Sequence, residues 1–184
     1  MELHIVLVLI LLGTTLTGCS HREPNARLGE WTDFSDSQGK FSVAMPGVPE
    51  REEYDMPIAS GTMKFTGNFV DLPEQAKFFM VSFVDYPPEI PHDDEASAHE
   101  VIDRYVAGGA RKKKLAIRQK SKISLENHPG QEYLFDEPEH GDKSLWRVYL
   151  VGDRLYQLVA NWDPKDAESS ADAEKFLNSF KLTD

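Results

Sequence analysis

The sequence holds one cysteine in 184 residues, which excludes an intrachain disulfide and any chemistry that needs two thiols. It has no long apolar run. The longest, from Leu3 to Leu12, passes directly into Gly13, Thr14 and Thr15 and falls well short of the roughly 20 residues a membrane-spanning helix needs. Positive charge is scarce as well: 20 Lys and Arg stand against 31 Asp and Glu, for a net charge of −11. A surface of that sign repels polyanions in bulk, so nucleic acid is excluded as a general partner. Catalytic signatures are missing too. There is no Gly-x-Ser-x-Gly elbow, no His-Glu-x-x-His helix and no glycine loop to cradle a phosphate. Carboxylates are plentiful, but their order pairs none across a cleft. Neither internal repeats nor low-complexity segments are found.

What is present argues for a packed globule. Ten Phe, six Tyr and three Trp sit in a chain that is 40% hydrophobic, a composition that favours a core over disorder. The length suits one domain with one core.

Leu16-Thr17-Gly18-Cys19 closes the early apolar segment. With its aliphatic residue, two small or polar residues and a cysteine, it resembles the lipobox of a bacterial lipoprotein signal peptide. The n-region Met1-Glu2-Leu3-His4 departs from that pattern in having neither Lys nor Arg. The resemblance implies a leader over residues 1–18, cleavage between Gly18 and Cys19, and a diacylglycerol thioether with palmitate-type acylation on Cys19. Membrane attachment would then be by lipid. Each buried methylene contributes about 0.8 kcal/mol, so two or three chains hold where one does not. Ser20, where inner-membrane retention would use Asp, implies an outer-membrane address facing the periplasm. Residues 19–29 are polar and include Pro24 and Asn25, reading as a tether. Residues 30–184 are expected to form the single domain.

Within that domain hydrophobic period changes three times. Phe41-Ser42-Val43-Ala44-Met45 alternates as a half-buried strand does, and Pro46-Gly47-Val48-Pro49 turns it. Glu50 to Pro57 reads as a polar edge strand. Met63, Phe65, Gly67 and Phe69 alternate against Lys64, Thr66 and Asn68, giving one apolar face. Phe78 to Val84 is apolar on both faces and is expected at the centre of the sheet. From Asp93 to Lys113 the period becomes helical, with Ala98, Val101, Ile102, Tyr105 and Val106 as the stripe and Gly108-Gly109 near its end. Leu115 to Leu125, Glu132 to Phe135, Leu145 to Val151 and Leu155 to Trp162 read as strands. Asn127-His128-Pro129-Gly130 and Gly152-Asp153 mark turns. A second helix opens after Pro164 and Asp166, with Ala173, Phe176, Leu177 and Phe180 as its stripe. The order predicts an α+β fold, two main helices packed on an antiparallel β-sheet.

Phe41-Ser42-Val43-Ala44-Met45-Pro46-Gly47-Val48-Pro49, Asn127-His128-Pro129-Gly130-Gln131-Glu132, Arg154-Leu155-Tyr156 and Ala173-Glu174-Lys175-Phe176-Leu177-Asn178-Ser179-Phe180 together resemble small bacterial lipoproteins with a PsbP-like α/β/α sandwich domain. The resemblance spans Trp31 to Leu182 and rests on strand, turn and helix punctuation. It implies that fold, and a docking or assembly role such as known members have. It implies no catalytic residue.

Three groups of side chains are candidate sites. Arg111 to Lys114, with Arg118, Lys120 and Lys122, form a basic stretch in an acidic chain. Strand alternation places Arg118, Lys120 and Lys122 on one face, as a patch for an anionic partner or as a solvated sheet face. His92, Asp93, Asp94, Glu95 and His99, and separately Glu137, Glu139, His140 and Asp142, lack zinc or EF-hand spacing. The first fits compensation of a helix dipole, and the loop from Glu137 to Asp142 is the better calcium candidate. Neither is assigned as a metal site, and no cofactor is implied. Trp31, Trp146 and Trp162, with Tyr149 and Tyr156, are expected in the core rather than along a groove. The chain therefore reads as a lipid-anchored, exported binding or assembly module that acts through a protein partner and not by catalysis. The alternative is an envelope enzyme or a carrier of a small ligand or metal, using a pocket between sheet and helix.

Overall fold

The structure, a computed structural model, describes residues 29–58, 61–87, 94–138, 141–166 and 168–184. The expected leader, the Gly18–Cys19 cleavage site and the tether before Gly29 lie outside them. In chain order the elements are β1 (Trp31–Asp36), β2 (Phe41–Pro46), β3 (Glu50–Ile58), β4 (Gly61–Leu72), a 3-10 turn (Pro73–Gln75), β5 (Lys77–Asp85), α1 (Glu95–Lys112), β6 (Ala116–Leu125), β7 (His128–Asp136), β8 (Lys143–Val151), β9 (Arg154–Trp162), α2 (Ser169–Asn178) and β10 (Lys181–Leu182). Seven strands form one antiparallel sheet in the order β3-β4-β5-β9-β8-β7-β6, and β1-β2-β10 form a second.

The large sheet is apolar on both faces, and each face has its own cover. Phe65, Val84, Tyr133, Phe135, Trp146 and Val148 pack under the α1 residues Val101, Ile102 and Val106. Phe79, Val81, Phe83, Tyr156 and Leu158 project the other way, against Phe41, Val43 and Met45 of the small sheet and Phe176 and Leu177 of α2. The result is the expected α+β architecture, two helices on an antiparallel sheet.

Particular expectations shift in register. The middle of the sheet is β9, with β5 beside it; both bury residues on both sides. In β4 the supposed polar face is buried, Thr66 at 1% and Asn68 at 2% exposure, because the small sheet covers it. Gly108-Gly109 does not end α1. A Cβ on Gly109 would lie 3.2 Å from the Trp146 ring, so glycine here gives the indole its seat. The β6–β7 turn is Glu126-Asn127, one step earlier than expected, with φ of 50° and 71° in the left-handed pair a tight hairpin demands. His128, Pro129 and Gly130 are then strand residues. Gly130 lets Tyr149 lie across the strand, since a Cβ would stand 2.5 Å from the Tyr149 ring. The Gly152-Asp153 hairpin is where the sequence places it, with Val151 opposite Arg154.

Two buried polar nodes hold the covers in place. Asp36, at the end of β1, accepts from the Gly39 amide at 2.8 Å, Arg51 Nη1 at 2.5 Å and Asn68 Nδ2 at 3.2 Å. That one carboxylate fixes the β1–β2 turn to β3 and β4. Tyr156 Oη donates to the Gly39 carbonyl at 2.8 Å and Arg154 Nη1 to the Gln38 carbonyl at 2.7 Å, adding β9 to the same turn. Beneath α2, Lys77 is 6% exposed and donates to Asp172 at 2.8 Å.

Burial pushes the Asp36 carboxyl up, but the Gly39, Arg51 and Asn68 hydrogen bonds outweigh it and hold it below its ordinary value of 3.8. A depressed folded value means that Asp36 stabilises fully above pH about 4 and loses that contribution as pH falls through the lower value. Asp36→Ala, which takes the acceptor from the buried Asn68 amide and the Gly39 N–H and leaves the half-exposed Arg51 to Glu53 and Gln38, is expected to cost about 2 kcal/mol in urea unfolding at pH 7 and to flatten the acid limb of the stability curve. Gly130→Ala should cost about 2 kcal/mol through the clash with Tyr149, measured in the same way.

Candidate functional site

The side of the molecule where α1 meets the β6–β7 hairpin gathers most of its unassigned chemistry. Asp94 starts the helix with a reciprocal cap: its Oδ1 accepts from the Ser97 amide at 2.8 Å, while Ser97 Oγ accepts from the Asp94 amide at 3.2 Å. Helical spacing then directs Ala98, Val101, Ile102 and Val106 into the core and leaves Glu95, His99 and Asp103 along the flank that faces β6 and β7.

A polar ladder fastens that flank. Gln131 Nε2 donates to the His99 carbonyl at 3.3 Å, and Tyr133 Oη donates to Asp103 Oδ1 at 2.5 Å and lies close to Gln131 Oε1. Lys120 Nζ reaches Asp103 at 2.6 Å and Lys122 Nζ reaches Glu95 at 3.1 Å. Burial pushes the Asp103 carboxyl up, but hydrogen bonds from Lys120 and Tyr133 and the Lys120 charge bring it below the ordinary carboxylate range. The Tyr133 hydroxyl is pushed far up, by burial first and then by donating to a carboxylate.

At the start of the helix the ladder stops and a cavity of about 350 Å³ opens, lined by Asp94, Glu95, Ala98, His99, Ile123, Ser124, Asn127 and Pro129. His99 is 7% exposed, and both its ring nitrogens are sealed from solvent with no hydrogen-bond partner among the described residues. Its Nδ1 lies 3.8 Å from Glu95 Oε1, too far for a hydrogen bond. A second hollow of about 220 Å³ lies between α2 and β6–β9, walled by Gln119, Leu134, Leu145, Trp162 and Ala173 among others.

The basic strand differs from simple alternation. A register shift between Ile117 and Gln119 makes Arg118 the extra residue of a bulge. Lys120 and Lys122 lean over α1, whereas Arg118 pairs with Asp136, on the strand face opposite Tyr133 and Phe135. Each of the three has a carboxylate partner, at side-chain exposures of 66%, 41% and 68%. The shift is a local backbone event that a period-two reading cannot register.

Of the first acidic cluster, Asp94, Glu95 and His99 converge on the cavity, while His92 and Asp93 lie outside the described residues. In the second, Glu139 and His140 lie outside; the Glu137 amide donates to the Asp142 carbonyl at 2.9 Å. Among the described residues no three His, Cys, Asp or Glu side chains converge as metal ligands do. No described helix is long and apolar enough to cross a membrane. The aromatic set is divided by the sheet. Trp146 belongs to the α1 side, Tyr149 and Tyr156 to the other, with Trp31 and Trp162 at that second core's margin.

No family model and no curated protein matches the chain. Among solved structures it is similar to cyanobacterial PsbP (CyanoP) from Synechocystis sp. PCC 6803, with a TM-score of 0.56 at 13% identity over 91% of this chain and 98% of that one. A Pseudomonas aeruginosa protein of unknown function, PA94, aligns with a TM-score of 0.39 at 11% identity, over 80% of this chain and 92% of that one. The fold is therefore PsbP-like.

A buried polar group without partners costs about 1–3 kcal/mol. His99→Leu should accordingly raise the unfolding free energy by about 1 kcal/mol in urea titration. Tyr133→Phe, which removes the donor to Asp103, should lower it by about the same amount.

Proposed function

We propose that this chain is a lipid-anchored, exported binding or assembly module that acts by protein contact at the cell envelope, without catalysis. The observation that carries the reading is the Leu16-Thr17-Gly18-Cys19 sequence after a short apolar run, ahead of a polar tether and a globular PsbP-like domain. A thioether-linked diacylglycerol on Cys19 would hold the domain at the surface of a membrane, and Ser20 favours the outer membrane facing the periplasm. Anchoring of this kind raises the local concentration of the domain near envelope partners, which lets a modest contact surface suffice. The exposed ends of Lys120 and Lys122, beside the carboxylates of α1, offer a rim where an oppositely charged partner would exchange one set of ion pairs for another.

Metabolic labelling with radioactive palmitate, followed by membrane fractionation, tests the anchor. The full-length protein is expected to take up label and sediment with membranes, and Cys19→Ser to lose both. Mild-detergent capture of the acylated protein then tests the module. A stoichiometric companion is expected with wild type and to be depleted at low salt by the Arg118, Lys120, Lys122 to Ala variant. Equal capture by wild type and variant would remove the basic strand from the interface.

A further inference from the structure

We propose that the end of the large sheet at which the chain enters the domain rests against an anionic lipid surface, held there by Arg111, Lys112 and Lys113. Three features meet at that end. The first is the entry itself. A Cβ on Gly29 would lie 3.4 Å from Gly47 Cα, and Trp31 packs edge-on against Phe79, near the start of β5, at 5.7 Å. The second is charge left unspent. Arg51, Lys120, Lys122, Arg147 and Arg154 each lie on a carboxylate of their own domain. Arg111 and Lys112, exposed in the last turn of α1, have no such partner among the described residues. Lys113 follows them and sets its Nζ 5.8 Å from the centre of the Phe78 ring. Phe78 and Phe79 are neighbours on opposite faces of β5, so the cations and the entry of the chain flank one end of the sheet. The third is Val48, 93% exposed in the β2–β3 turn beside Gly29.

A helix dipole accounts for cations in a last turn, but not for an exposed valine beside the entry of the chain. A lipid surface accounts for both. Each Lys or Arg near an anionic bilayer favours contact about fivefold, over a range of roughly 8–10 Å. Residues Cys19 to Leu28 span at most about 35 Å, so an anchor at Cys19 keeps this end within reach of the headgroups and makes a weak contact effectively intramolecular. Val48 and the aliphatic stems of the lysines would then sit among the headgroups. The net charge of −11 opposes any general attraction, and Glu30, Asp71 and Glu74 share this end of the sheet. The contact is therefore local to the last turn of α1, and Glu74, in the turn between β4 and β5, limits it.

This inference rests on the anchor proposed above and fixes how the anchored domain stands on its membrane. The chain from Cys19 to Asp184 keeps every described element and has one thiol. Cys19 is therefore coupled to a maleimide-bearing lipid in nanodiscs, which sets the attachment whether or not a cell acylates it. Discs of phosphatidylcholine mixed with phosphatidylglycerol are compared with discs of phosphatidylcholine alone, each holding a trace of nitroxide-labelled lipid, and backbone amide signals are followed. In the anionic discs Val48, Lys112 and Lys113 are expected to lose most of their intensity, while Gly152 and Asp153, in the hairpin at the other end of the sheet, keep theirs. Phosphatidylcholine alone should give no such contrast. Arg111→Glu with Lys112→Glu should abolish it, and Glu74→Lys, which leaves the helix untouched, should strengthen it. Equal loss at both ends, the same contrast in both kinds of disc, or a contrast that neither variant moves would overturn the proposal. Shifts of Lys112 and Lys113 on adding polyglutamate, with no contrast in the discs, would overturn it in favour of an acidic protein. Failed palmitate labelling of the full-length protein beside an intact contrast would overturn the cellular anchor alone.

Discussion

Everything in this molecule follows from a sheet that is apolar on both faces. β5 and β9 pair through Val81–Leu158 and Phe83–Tyr156 on one face and through Met80–Val159 and Val84–Leu155 on the other, with the buried Ser82–Gln157 pair between the latter two. A two-sided sheet must be covered twice, at roughly 25 cal/mol for each Å² of apolar surface taken out of water. One helix covers one face. The other is too broad for α2 alone, so β1, β2 and β10 complete its cover, and Phe41 touches Phe83, Tyr156 and Phe180 at the junction. The buried polar nodes are consequences of this arrangement. Asp36 stands where the small sheet crosses the large one, and Lys77 where the first turn of α2 meets the start of β5, so each ties a cover to the large sheet.

Much of this architecture was legible because burial writes its own period. The double-sided apolar run Phe78 to Val84, the helical stripe from Ala98 to Val106 and the Gly152-Asp153 turn stand in the sequence as they stand in space. What was not legible depended on partners remote in the chain. Thr66 and Asn68 read as a solvent face because nothing near them announces that Asp36, 32 residues away from Asn68, will arrive to accept a hydrogen bond. The bulge at Arg118 leaves the residue order intact while turning the side chain around. Gly109 and Gly130 read as breakers, yet they serve as seats for Trp146 and Tyr149, which follow them in the chain.

The candidate site was legible only as a cluster of letters. Asp94, Glu95 and His99 have the composition of dipole compensation, and two of the three behave that way in part, Asp94 as the helix cap and Glu95 as the partner of Lys122. The feature that separates His99 from them is its burial without a partner, which comes from the depth of the helix stripe and the approach of the β6–β7 turn.

The bulge at Arg118 and the charges of β3 have one more effect. A sheet of seven strands has two outer edges whose backbone groups would welcome another chain. One edge carries Glu50, Arg51, Glu52, Glu53, Asp55 and Pro57, and the other is kinked at Arg118 and fringed with lysines. Neither can be lengthened easily by a strand from outside. Copies of the chain are thereby kept from zipping edge to edge into ribbons.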